Sequence, residues 1–186
     1  MSDLRRQANV LGALALVISD RVDDAVTERS GVSSTAAVAL SALYHFLDRP
    51  TIDLLRQVLG LTSSGAVRLV DRLVEAGYVE RRPGEDRRST AVTLTRKGRR
   101  VAERVAQARE SVLGTALSQL SPEERDCLDA LMAKLVAGFV RGPGATRWIC
   151  RLCDTDACGR DHGSCPVANA AARRHRPDDD AAEPIR

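Results

Sequence analysis

Residues 61–100, LTSSGAVRLVDRLVEAGYVERRPGEDRRSTAVTLTRKGRR, decide how this chain folds. Thr62 or Ser63 can cap a helix that runs to about Ala76 and stops at Gly77. At helical spacing, Ala66, Leu69, Val70 and Leu73 share one face. Ser64, Arg68, Asp71, Arg72 and Glu75 share the opposite one. Residues 78–82 and 90–94 read as short strands, with Val92 and Leu94 pointing one way and Ala91 and Thr93 the other. Between them Pro83-Gly84-Glu85-Asp86-Arg87-Arg88 forms a charged turn.

Working outward, Thr51 caps a short helix to about Leu59, with Asp53 in its first turn and Gly60 at its end. A short helix, a tight glycine-containing turn and a second helix spell a helix-turn-helix. A further helix fits residues 34–47, ended by Arg49-Pro50 because the residue before proline avoids helical angles. Before it, residues 4–28 place Ala8, Leu11, Leu14, Ala15, Ile18, Val22, Ala25 and Val26 at steps of three and four, one helical face. Downstream, Thr95 caps a long helix from Arg96 to about Leu120. Ser121-Pro122-Glu123-Glu124 starts another, with Ser121 as cap, proline at the first position and Glu124 completing a capping box. That helix reaches about Val140, and Arg141-Gly142-Pro143-Gly144 breaks it. The fold class is therefore mainly α with a small β-hairpin wing: a winged helix-turn-helix plus a helical dimerisation region. The expected organisation is an N-terminal dimerisation helix (1–33), the winged helix-turn-helix (34–95), C-terminal dimerisation helices (96–141), a cysteine-rich metal-binding segment (145–168) and a disordered tail (173–186), charged and proline-containing.

The charge is distributed to match. Residues 62–100 hold ten basic against five acidic side chains, an excess larger than the +3 of the whole chain. A local basic excess is the footprint of phosphate binding. In a winged helix the second helix of the pair enters the major groove. Ser63, Ser64, Arg68 and Arg72 then form its reading face, arginine being the commonest specific reader of guanine. The turn carries Arg87 or Arg88 to the adjacent minor groove, and Asp86 orients a neighbouring arginine by a charge-assisted hydrogen bond. The partner implied is double-stranded DNA. Aromatic residues are only 3% of the chain, so its helices pack through Ala, Val and Leu. Neither a signal peptide nor a run of roughly 20 uncharged apolar residues is visible, so no membrane is implied and a cytoplasmic location is expected.

Residues 59–99 resemble the MarR family of bacterial transcriptional regulators. The resemblance rests on Leu-Val-Asp-Arg-Leu at 69–73, Gly77-Tyr78-Val79, Asp86-Arg87-Arg88, and Thr93-Leu94-Thr95 ahead of Gly98. By element order it covers roughly residues 4–140. It implies a homodimer in which the first helix and the last two long helices interlock. It also implies a palindromic operator and a repressor relieved by a small-molecule effector or by oxidation, with no catalytic activity. Matched by position, Ser63, Ser64, Arg68 and Arg72 become recognition-helix contacts, and Asp86, Arg87 and Arg88 the wing.

Beyond the resemblance lies Cys150-x2-Cys153-x4-Cys158-x6-Cys165. Four cysteines this dense are not core packing. Four thiolates make a closed tetrahedral zinc site. They also suit an iron–sulfur cluster, and Cys150 with Cys153 could instead form a reversible disulfide. His162 is an alternative ligand, though its Asp-His-Gly setting reads as a solvated turn. Cys127 is expected to pack in a core between apolar neighbours, with an exposed sensor thiol as the alternative, and His45 to be a core or interface histidine. Two other classes compete with the regulator: a thiol–disulfide oxidoreductase using Cys150 and Cys153, and a metal-dependent protein-interaction adaptor. No general base or substrate pocket accompanies the thiols.

Overall fold

The computed structural model describes residues 2–84, 89–142 and 144–174. The element order is α1 (Ser2–Ser30), α2 (Ser34–His45), α3 (Ile52–Leu59), α4 (Ser63–Glu75), β1 (Val79–Pro83), β2 (Thr90–Leu94), α5 (Arg96–Leu117), α6 (Pro122–Gly138), α7 (Ala145–Ile149) and α8 (Pro166–Arg173). Side-chain caps fix the starts of the five helices after α1, α2 to α6. Thr51, Thr62 and Thr95 accept hydrogen bonds from the amides of Leu54, Gly65 and Gly98. Ser121 and Glu124 make both bonds of a capping box. Gly60 ends α3 at φ 64°, where a Cβ is disfavoured.

The main core lies where α2, α3, α4, the hairpin and α5 meet, around the fully buried Leu40, Leu55, Val58, Val70, Val79, Val92, Val101 and Val105. Burying one such side chain contributes about 1.5–3 kcal/mol. Ala66, Leu69, Val70 and Leu73 are all buried, as the helical spacing predicts. β1 and β2 pair antiparallel, Val79 opposite Leu94 and Pro83 opposite Thr90.

Four expectations need correction. Ala91 and Val92 are both buried, so β2 does not alternate cleanly. The reason is a third edge: Thr51 bridges Ala91, and the Val92 amide donates to the Pro50 carbonyl at 2.9 Å. Cys127 is exposed rather than packed in a core. In keeping with an apolar face that needs a partner, α6 buries no side chain in the protomer. The cysteine segment is flanked by two helices, α7 and α8, that alternation and spacing did not predict, and Arg173, expected to open a disordered tail, closes α8. The helices predicted to reach Leu47, Leu120 and Val140 close two or three residues sooner, at His45, Leu117 and Gly138. Among the described residues no helix is long and apolar enough to cross a membrane.

Candidate nucleic-acid interface

The outward side of α4 is built by the same periodicity that buries its inner side. Ser63, Ser64, Arg68, Asp71 and Arg72 are exposed while Ala66, Leu69, Val70 and Leu73 sink into the core. The Arg72 Nε donates to the Arg68 carbonyl at 3.3 Å, which holds that guanidinium along the helix surface. Asp71 belongs to the scaffold rather than to the reading face. The Arg81 guanidinium donates to its carboxylate at 2.6 Å, tying α4 to β1. Sequence spacing gave no sign of that pair.

The C-terminal end of α4 is held with equal care. Lys97 donates to the Ala76 carbonyl at 2.8 Å and lies over the Tyr78 ring. A cation at this position satisfies an orphan carbonyl and the negative end of the helix. The Thr95 hydroxyl reaches the Gly77 carbonyl at 2.7 Å and accepts from the Gly98 amide. Arg49, at φ 44°, reaches across to the Pro83 carbonyl at 2.8 Å and braces the turn end of β1. The C-terminal half of the helix is thus fixed to the hairpin and to the start of α5. Its exposed serines and arginines project from a rigid platform, as a groove-reading surface requires. The wing residues expected at the tip, Asp86, Arg87 and Arg88, lie outside the described residues.

The four cysteines come together in a second, smaller core. Cys150 and Cys165 are buried and Cys153 and Cys158 pack beside them, with Val140, Ala145, Val167, Ala170 and Ala171. The segment folds through tight turns. The Cys153 amide donates to the Cys150 carbonyl at 2.9 Å, and Asp154 accepts from the amides of Asp156 and Ala157. Gly159 and Gly163 take positive φ of 62° and 72°.

The sulfurs stand as two hydrogen-bonded pairs, Cys150 with Cys153 and Cys158 with Cys165. The bond from Cys150 holds the Cys153 thiol down, to about 6, aided by Arg109 and Arg160, and Cys150 rises in turn. Burial, then the bond to Cys165, pushes Cys158 up to about 11. For Cys165 burial opposes ionisation, but the Ala168 amide, the Cys158 thiol and the Val167 amide outweigh it and lower its pKa. The Arg160 cation favours the thiolate form of all four. Its Nε is buried without a hydrogen-bond partner among the described residues. His162 is exposed, as expected of a turn. His45 is nearly covered, edge-on to Tyr44, and burial lowers its pKa against the pull of Asp154 and Asp156.

Residues 30–89, from the end of α1 through the hairpin turn, match the MarR family. Over this stretch, the helix-turn-helix and its hairpin, the chain is similar to the MarR family. The HTH-type transcriptional regulator YwhA of Bacillus subtilis (strain 168), itself uncharacterised, is 28% identical over 113 residues, 60% of this chain and 81% of YwhA. The transcriptional repressor MprA of Escherichia coli (strain K12) is 34% identical over 80 residues, 42% of this chain and 46% of MprA. The apo form of wild-type MarR from E. coli superposes with a TM-score of 0.55 at 25% identity, over 67% of this chain and 96% of MarR. Like its MarR-family relatives, this protein is a DNA-binding transcriptional regulator and not an enzyme. The Cys150–Cys153 pair therefore belongs to a regulator rather than to an oxidoreductase. The match ends at residue 89 and leaves all four clustered cysteines outside it.

Proposed function

We propose that this regulator represses transcription as a homodimer on a palindromic operator, and that Cys150, Cys153, Cys158 and Cys165 bind zinc. The observation that carries the DNA reading is the outward face of α4: Ser63, Ser64, Arg68 and Arg72 exposed on a helix whose C-terminal half is pinned to the hairpin and to α5. Arg87 and Arg88 supply the wing contacts and Asp86 orients them. MprA, a repressor, supports the repressing role.

The dimer is supported by apolar surface with nothing over it in one protomer. Leu11 and Leu14 on α1, Leu131 and Leu135 on α6 and Phe139 at its C-terminal cap are about half exposed or more. A groove of about 520 Å³ runs between α1 and α5, lined by Leu14, Val17, Ile18 and Val112. Two copies related by a two-fold axis cover these surfaces reciprocally. A cavity of about 310 Å³ between α5 and the cysteine segment, with Arg109, Leu113 and Leu152 in its wall, has the size for a small-molecule effector. Selection from random duplexes followed by footprinting tests the operator. Two inverted half-sites about 10 base pairs apart, or a multiple of that, are expected; protection of one unrepeated half-site would overturn the palindrome.

The zinc reading rests on the donor set and its surroundings. Four thiols are grouped, one cation faces all of them, and that cation keeps a buried N–H unused. A tetrathiolate zinc centre carries two net negative charges, which Arg160 partly offsets. Among the described residues no three His, Cys, Asp or Glu donors are already set around one point. Binding must therefore draw the two thiol pairs together by side-chain rotation. Elemental analysis with a visible spectrum tests this directly. One zinc per chain in a colourless protein is expected, and a brown protein containing iron would replace zinc with an iron–sulfur cluster.

A further inference from the structure

We propose that the cysteine segment is a metal-dependent strut, whose filling by a thiophilic divalent metal sets operator affinity by locking α6 to the DNA-binding unit. This rests on the zinc reading above and adds to it a regulatory role.

The segment lies between two bodies. On one side α8 packs on α6, with Val167, Ala170 and Ala171 against Val136, Ala137 and Val140. On the other side it reaches the end of α2. The Thr155 hydroxyl, buried, donates to the His45 carbonyl at 2.9 Å. The Arg160 guanidinium lies over the Phe46 ring, 5.7 Å from its centre. Leu152 packs into the main core, and α7 packs on α3. His45 and Phe46 are the last residue and the cap of α2, immediately before the helix-turn-helix. Helix α6 itself buries no side chain in the protomer, so its placement depends on α8 and on whatever covers its other face.

Size makes this strut conditional. Residues 145–174 are far below the roughly 40 residues at which a domain holds itself together without a metal, a disulfide or a partner. Its own buried set is small: Ala145, Cys150, Cys165, Val167, Ala170 and Ala171, beside Val140 of the preceding turn. Two of those six are the cysteines themselves. In such a segment the free energy of metal binding is largely free energy of folding. Emptying the thiols loosens the packing that joins α8 to α6 and Thr155 to α2. In a two-fold dimer the separation of the two recognition helices depends on the angle between the dimerisation helices and the DNA-binding units. A metal that binds only the folded strut shifts the population toward the geometry that the strut enforces. Thr155 and Phe46 transmit the state of the thiols without touching the metal.

The experiment uses full-length protein with thiols kept reduced by a phosphine, and a fluorescent duplex carrying the selected operator. Operator affinity is measured by anisotropy on zinc-loaded protein, on protein stripped by a chelator, and after zinc is returned, with metal content and oligomeric state recorded each time. Stripping should weaken operator binding tenfold or more, and zinc should restore it. Thr155→Val and Phe46→Leu should each keep one zinc per chain and shrink that ratio at least threefold. Phe46→Leu removes the Arg160 contact but changes no residue of the cysteine segment, so retained zinc there guards against a folding defect. Zinc lost with operator affinity unchanged would overturn the strut and leave the zinc site standing. A full zinc response in both variants would overturn the route through α2. Reduced protein that binds no zinc would overturn the site and the strut together.

Discussion

Replacing Gly98 with alanine tests how tightly the long helix is seated on the hairpin. Gly98 lies in the first turn of α5. A Cβ there would stand 1.8 Å from the Tyr78 carbonyl oxygen and 2.8 Å from its carbon. A carbon and a carbonyl oxygen normally approach no closer than about 3.3–3.6 Å, so the two backbones must part by about 1.5 Å. Both are main chain, and no rotamer can absorb the shift. The movement breaks the contacts that join α5 to the end of α4: the Thr95 amide to Tyr78 at 3.0 Å and the Thr95 hydroxyl to Gly77 at 2.7 Å. Overpacking a close contact costs about 1–3 kcal/mol, and two hydrogen bonds add about 1 kcal/mol each. A loss of about 3 kcal/mol lowers Tm by roughly 10 °C in a chain this long. Thermal melts at one fixed protein concentration measure it, since a dimer's Tm depends on concentration. A drop of less than about 2 °C would refute the claim that this seat is rigid.

Arg87→Ala should weaken operator binding about tenfold or more while leaving the dimer intact, as anisotropy and light scattering would report; unchanged affinity removes Arg87 from the wing. Leu135→Glu puts a charge on the exposed apolar face of α6, once on each side of a two-fold interface. At about 2 kcal/mol per copy the dimer should weaken roughly a thousandfold, and sedimentation showing an undisturbed dimer would place the interface elsewhere. Cys153→Ser should release the metal, and an unaltered zinc content would exclude a tetrathiolate site.

How much of this was legible in the sequence depended on whether the signal was periodic or long-range. Ala66, Leu69, Val70 and Leu73 repeat at helical spacing, and all four are buried. Thr51, Thr62, Thr95 and Ser121 cap by chemistry that acts within three residues, and each does so. The contacts that orient the reading face were not legible. Asp71 and Arg81 are ten residues apart on different elements, and nothing in either segment names the other. The pairing of Pro50 and Thr51 with β2 was hidden for the same reason, since a backbone edge leaves no mark on side-chain type. Cys127 was misread because apolar neighbours on a helix say that a face will be covered, not by which chain. The cysteine spacing pointed to a shared centre. It could not point to Thr155 and Arg160, which connect that centre to His45 and Phe46 across more than a hundred residues.

The central claim is that the outward face of α4 holds DNA through Arg68 and Arg72. The most direct measurement is the salt dependence of operator binding by the wild type and by the Arg68→Ala/Arg72→Ala double variant. Each cation that neutralises a phosphate contributes about 0.9 to the slope of log affinity against log salt. Two arginines in each of two protomers should make the variant's slope shallower by about 3 to 4 and its binding far weaker, with the dimer and the melting temperature unchanged. An unaltered slope and affinity in a folded, dimeric double variant would contradict the assignment of α4 as the DNA-reading helix.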